Sequence, residues 1–338
     1  MRALLCPLAF SLAVSCAGAP VATFSQLDWH DQPTGSTASL RGLAALDANT
    51  AIVSGSNGTV LRTDDGGATW RDIAPPDCAN CDFRDVEALS KDELVLMVAG
   101  QPARVYRSVD GGDSWGIVHQ DPRPEAFFDA LAFDGRRGVM FGDPQQGEFA
   151  LLCTDDGGGS WTATKALPSA RDGEAAFAAS GTCLVAAGDG SFLLTTGGAG
   201  SRLLRFAVDG MLGEAALPLA EGAAARGAFS IAVRGPRLCA VGGDYTAPLD
   251  GAGSAVWSDD GGASWHVADA LGFRSAVQWI DERTLVAVGS HGASVSGDGG
   301  ATWRAFGNVG FHALAVGRDG AVWACGSDGR VARLRIAR

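Results

Sequence analysis

Lysine is almost missing from this chain of 338 residues: of its 26 Lys and Arg, all but Lys91 and Lys165 are arginine. Any surface that holds an anion is therefore built from guanidinium groups, which fork onto carboxylate or phosphate better than an ammonium does. Positive charge as a whole is in deficit. A formal net charge of -12 and a pI near 4.8 leave no electrostatic footprint for nucleic acid. Histidine numbers five and tyrosine two, and no HxH or HExxH spacing occurs, so the sequence predicts no metal site. No glycine-rich loop opens a helix, and no cofactor is expected. Beyond the first fifteen or so residues, no run is long and apolar enough for a membrane-spanning helix.

Glycine, in contrast, is abundant at 48 residues, and much of it recurs in one string. Thr63-Asp64-Asp65-Gly66-Gly67-Ala68-Thr69-Trp70 returns as 108–115, 154–161, 258–265 and 296–303. Each copy reads Ser/Thr, any residue, Asp, any residue, Gly, any residue, Thr/Ser, Trp. The Asp (Asp65, Asp110, Asp156, Asp260, Asp298) can accept backbone N–H bonds inside a tight turn, and the glycine can take a positive φ. The Trp then enters the next strand and packs. Self-similarity at about 40 to 50 residues is the mark of a propeller or solenoid.

Around these turns, short apolar strands repeat in fours, as in residues 43–46, 51–55, 59–63 and the segment at Trp70. The blades run at about 41–73, 84–118, 127–164, 174–206, 227–267, 274–306 and 311–336. The fourth is degenerate: its turn decays to residues 196–201 without Asp or Trp, with an outer strand near Phe206. The fifth carries an enlarged loop at 243–253. The seventh lacks a fourth strand, while residues 24–31, centred on Trp29, form a strand with no sheet of its own. The expectation is an all-β, seven-bladed propeller of four-stranded antiparallel blades, a single domain over 24–338, closed by the N-terminal strand completing the C-terminal blade.

Residues 1–15 read as an export signal, with Arg2 before an apolar run, and 16–23 as a tether. Two processing routes are open. Ala13-Val14-Ser15-Cys16 resembles a bacterial lipobox, which would leave Cys16 acylated and the protein anchored to a membrane by lipid; cleavage near Ala17-Gly18-Ala19 would give a soluble periplasmic protein. Cys78 and Cys81 form a CxxC in a proline-rich connector, away from any helix N-terminus, and in an exported protein they read as a local disulfide. Cys153, Cys183, Cys239 and Cys325 sit in strand-like runs and read as buried.

The repeated Asp turn is the Asp box, or BNR repeat, of sialidases, sortilin-type receptors and related propellers. The fuller blade, a first strand opened by Arg, an apolar strand ending in Gly, then Gly58-Thr59-Val60-Leu61-Arg62-Thr63 into the box, resembles the photosystem II assembly factor family of the Ycf48 and Hcf136 type over about 24–338. That resemblance implies a non-enzymatic propeller that helps to assemble a membrane protein complex.

Two function classes remain to be weighed. A sialidase-like glycoside hydrolase needs a Tyr nucleophile, and Tyr245 is the candidate because Tyr106 falls in a core strand. A binding protein needs a chemically biased face. Aligning the repeats places Arg41, Arg84, Phe128, Arg274 and His312 at the entry of the innermost strands, on the side of the loops carrying His291, Asp244 and Tyr245. An Arg-bearing funnel suits an acidic segment or carboxylate of a protein partner. The alternative reading is that these arginines pair with neighbours such as Asp85 or Asp129 and stabilise the rim. A monomer is expected.

Overall fold

The computed structural model describes residues 26–268 and 271–337, so the expected signal segment, Cys16 and the tether lie outside the described residues. All regular elements among them are strands, in seven antiparallel sheets set around a central channel. In blade 1 the order from channel to rim is Leu40–Ala45, Ala51–Gly55, Val60–Thr63 and Arg71–Asp72. Blades 2, 3 and 6 repeat this plan, starting at Phe83–Ala88, Phe128–Asp134 and Ala276–Trp279.

The second strands explain the continuous apolar runs. Every residue of Ala51–Gly55 is buried, because side chains alternate between two neighbouring blades rather than between core and water. Ile52 packs with Phe83, Leu96 and Tyr106 of blade 2, whereas Val53 packs with Trp323 and Cys325 of blade 7. The core is thus a ring of interfaces between blades.

The Asp boxes close the hairpins between third and fourth strands. In the first, the Asp65 carboxylate accepts from the Thr69 amide at 2.9 Å, the Thr69 hydroxyl at 2.6 Å and the Thr63 hydroxyl at 2.9 Å. These bonds, led by the Thr69 hydroxyl, hold its pKa down at about 2. Gly67 has φ +89°, and a side chain there would collide with Gln32. Asp110, Asp156, Asp260 and Asp298 make the same bonds to the Ser or Thr on either side. The Trp that follows fastens blades together: the Trp115 indole donates to the Ile73 carbonyl of blade 1 at 2.6 Å.

Ring closure is by the N-terminal strand. Gln26–Asp31 pairs antiparallel with Val331–Ala337, and the seventh sheet runs from it inward to Ala313–Val316. Trp29 then lies against Phe306 of blade 6 and Phe311, with ring centroids 6.0 and 4.8 Å away.

Blade 4 departs from the sequence expectation by one strand. Leu184–Ala186 is the innermost strand and packs between the inner strands of blades 3 and 5. Phe192–Thr195 and Arg202–Ala207 follow, and the outer strand is Gly210–Ala216, so Phe206 belongs to the third strand. The outer strand escapes notice because it is largely exposed and carries neither Asp box nor Trp. The loop at 196–201 therefore joins second and third strands and is not a decayed Asp box. Its Gly197–Gly198 pairs with Glu174–Ala175 to form a short ribbon on the funnel side, joined to blade 5 at Gly227.

Candidate partner-binding funnel

A single backbone device builds the funnel. The inner strand of blade 1 has a β-bulge between Leu40 and Gly42, which leaves Arg41 unpaired and aims it into the opening. The same irregularity falls at Arg84 in blade 2, Asp129 in blade 3 and Phe229 in blade 5. Ser275 and His312 take the equivalent places in blades 6 and 7, one residue after Arg274 and Phe311, which lie beneath Gly289 and Gly326 as Leu40 lies beneath Gly55. All six bulge-position residues line one cavity of about 420 Å³.

Arg41 makes no hydrogen bond or ion pair among the described residues, and burial, then Arg84, lower its pKa. Arg84 donates to Asp82 at 2.8 Å and to the Ala178 carbonyl at 3.3 Å, with the Phe127 ring 5.7 Å from its guanidinium carbon. Burial, then Arg41, push His312 down to about 4, so its ring is neutral at pH 7. Its Nδ1 lies 3.0 Å from the Leu40 carbonyl, which can only accept, so that nitrogen carries the proton. An aromatic wall completes the cavity. Phe177 stacks on Phe229 with centroids 3.7 Å apart, and Phe273 and Tyr245 stand edge-on to Phe229 at 4.8 and 6.2 Å.

Of the candidates named from sequence, Arg41, Arg84, His312 and Tyr245 meet in this cavity. Three do not. Arg274 is 5% exposed and turned into the blade, donating to the Phe273 carbonyl at 2.8 Å and the Ser294 hydroxyl at 2.9 Å, because it precedes the bulge position. Asp244 is engaged by Arg226 at 2.9 Å and by Thr246, and faces a separate side pocket. His291 is exposed and bonds Ser290, and of that pair it is Ser290 that lines the cavity. Phe128 is buried in the core, and Asp129 holds the place expected for it. Sequence reasoning missed Phe127, Phe177, Phe229 and Phe273, which read like any core aromatics.

Elsewhere, the sulfurs of Cys78 and Cys81 are joined in a disulfide. Tyr106 is 1% exposed, and its hydroxyl is shared between Arg104 and Asp77. No group of three His, Cys, Asp or Glu side chains able to hold a metal occurs among the described residues.

Seven blades, Asp-box hairpins and a side-chain funnel on the opposite face define a BNR-repeat propeller. The family of the photosynthesis system II assembly factor YCF48 matches residues 21–198, more than half of the chain, and the chain belongs to that family. The photosystem II assembly lipoprotein Ycf48 of Synechococcus sp. (strain CC9902) is 29% identical over 164 residues, 46% of this chain and 46% of that protein. The match thus spans about half the length of the curated relative. Among solved structures, YCF48 bound to D1 peptide superposes with a TM-score of 0.65 at 17% identity, covering 94% of this chain and 99% of that one. A GH74 xyloglucanase from Xanthomonas campestris gives 0.65 at 16% identity, over 91% of this chain and 53% of the enzyme. At such identities both likenesses concern the fold.

Proposed function

We propose that this protein is a non-catalytic assembly factor that captures an acidic or carboxylate-bearing segment of a membrane protein complex in its funnel. The observation that carries this reading is Arg41, a largely buried guanidinium without a partner among the described residues, beside Arg84 in a cavity open to solvent. Burying a cation without a counter-charge is costly, and an incoming carboxylate removes that cost. Membership of the family and the role named for its Synechococcus relative favour assembly over hydrolysis. The same name supports export as a lipoprotein, and Cys16 is the residue proposed to carry the acyl chain; labelling with a fatty-acid analogue is expected to vanish on Cys16→Ser.

The test is affinity capture from the native envelope fraction with wild-type protein and the Arg41→Ala/Arg84→Ala variant. A specific membrane protein, identified by mass spectrometry, is expected with the first and lost by at least about tenfold with the second. Melting temperature should stay within a few degrees. Capture that survives both substitutions sinks the proposal. Turnover of a glycoside panel that disappears on Tyr245→Phe would establish the hydrolase instead.

A further inference from the structure

The funnel is not uniformly basic. Asp129 holds in blade 3 the bulge position that Arg41 and Arg84 hold in blades 1 and 2, and it is 1% exposed. Among the described residues neither of its carboxylate oxygens makes a well-formed hydrogen bond, the Ala178 amide offering only a poorly aligned one, and one oxygen of neighbouring Asp143 is bare. Burial, then the neighbouring Asp143, raise the Asp129 pKa well above the ordinary carboxylate value, so without a nearby counter-charge the site favours the protonated form. Arg84 and the Ala178 amide favour the charged form but are outweighed, and the Arg84 guanidinium is already committed to Asp82 and the Ala178 carbonyl, so the counter-charge that would ionise Asp129 has to come from a ligand.

Arg41 and Asp129 therefore line one cavity, both without an ion-pair partner among the described residues and not paired with each other. Phe177 sits between Ala176 and Ala178, whose amides face Asp143 and Asp129, so the carboxylates lie at the aromatic side of the opening. A cation set against aromatic faces and a carboxylate is doubly favoured. A volume of about 420 Å³ admits a few side chains only, so both charges must come from one short stretch of ligand.

We propose that the funnel reads a two-signed peptide element: an acidic group on Arg41 and, within a few residues of it, a lysine or arginine whose head reaches Asp129 past Phe177. This rests on the reading of the funnel as a partner-binding site and specifies the partner's chemistry. A purely acidic segment would leave Asp129 buried and bare, next to a second negative charge. A two-signed segment satisfies both ends of the cavity.

The experiment is selection of displayed random dodecapeptides on immobilised full-length protein. On wild type, Asp or Glu is expected to be enriched together with Lys or Arg within three or so positions. Asp129→Asn should keep the acidic preference and lose the basic one, and Arg41→Gln should do the reverse. For a selected peptide, Lys→Gln should weaken binding to wild type roughly tenfold, the worth of one charge-assisted contact, and leave binding to Asp129→Asn unchanged. Enrichment of acids alone on wild type overturns this inference and leaves the proposed function standing. Enrichment of neither sign overturns both. A Lys→Gln penalty that persists in Asp129→Asn shows that the base docks elsewhere and overturns the inference. Should Asp129→Asn fail to fold, the wild-type selection with the Lys→Gln comparison decides alone: a basic preference worth less than twofold refutes it.

Discussion

The ribbon that walls the funnel is held by a buried ion pair, and breaking that pair should be felt in both stability and binding. Arg202 and Glu174 have side chains 4% and 1% exposed, with Arg202 Nε and Nη2 donating to the two carboxylate oxygens at 2.6 and 2.7 Å. Glu174 also accepts from the Thr196 hydroxyl at 2.6 Å and the Arg171 amide at 2.9 Å, and Arg202 reaches Glu214 at 2.8 Å. Removing one partner of such a pair leaves the other charge buried, a loss of about 3–5 kcal/mol, whereas removing both costs far less. Glu174→Gln and Arg202→Met are therefore each expected to lose about 3 kcal/mol, and the double variant no more than either single, a coupling of about 3 kcal/mol. With an unfolding entropy of about 2.1 cal/mol/K per residue, a loss of that size over this chain lowers Tm by about 4 °C.

The assay is urea unfolding followed by Trp fluorescence, with calorimetry alongside. Acid adds a second arm. Burial alone would raise the Glu174 pKa, but the bonds from Arg202, the Arg171 amide and Thr196 outweigh it and the net shift is downward. A carboxyl with a depressed folded pKa stabilises above its unfolded value and ceases to do so as pH falls through the folded one. The gap between wild type and Glu174→Gln should thus be full above about pH 5 and shrink as pH falls below the ordinary value of 4.5. Strictly additive losses, or single losses below about 1 kcal/mol, would refute the reasoning.

Two further outcomes follow from groups away from the ribbon. Among the described residues Arg274 is a buried guanidinium with no carboxylate partner, pushed down to about 10 by burial and with its Nε unbonded, so Arg274→Met should leave stability unchanged or raise it by about 1–2 kcal/mol; a fall of that size, or a loss of partner capture, would contradict this reading. Glu87 faces the channel, where burial and then Asp85 raise its pKa to about 8. Folding therefore takes up a proton between about pH 4.5 and 8, and stability falls as pH rises through that window. Glu87→Gln should melt with wild type at pH 5 and above it at pH 9; an offset independent of pH would contradict the assignment.

The ring was legible because its fasteners are local. An Asp box needs only eight consecutive residues to declare itself, and a Trp-bearing strand without a sheet points to the blade that lacks one. The funnel was half legible for a reason equally local. A β-bulge inserts one residue without marking the spacing, so aligning repeats by their apolar strands lands on Arg41 and Arg84 but misses by one at Phe128 and Arg274, where Asp129 and Ser275 face the opening. The outer strand Gly210–Ala216 was hidden for another reason: it packs few side chains, so it carries no alternation to read. Phe177 and Phe229 stack across a gap of more than fifty residues in sequence, a contact to which no periodicity points.

The bulge also explains how one scaffold supports divergent faces. Residues flanking it, such as Leu40, Phe83, Phe128 and Phe311, are buried between blades and bound by packing density. The bulged residue is released from the ladder and projects into the opening, so exchanging it alters the funnel without opening a cavity in the core. Arg41, Arg84, Asp129, Phe229, Ser275 and His312 differ in charge, size and polarity at one structural position. In the Asp boxes, by contrast, Asp65 and its counterparts repeat with the same bonds in five blades. Repetition on one face and diversity on the other separate the fastening from the face proposed for recognition, on opposite sides of the ring.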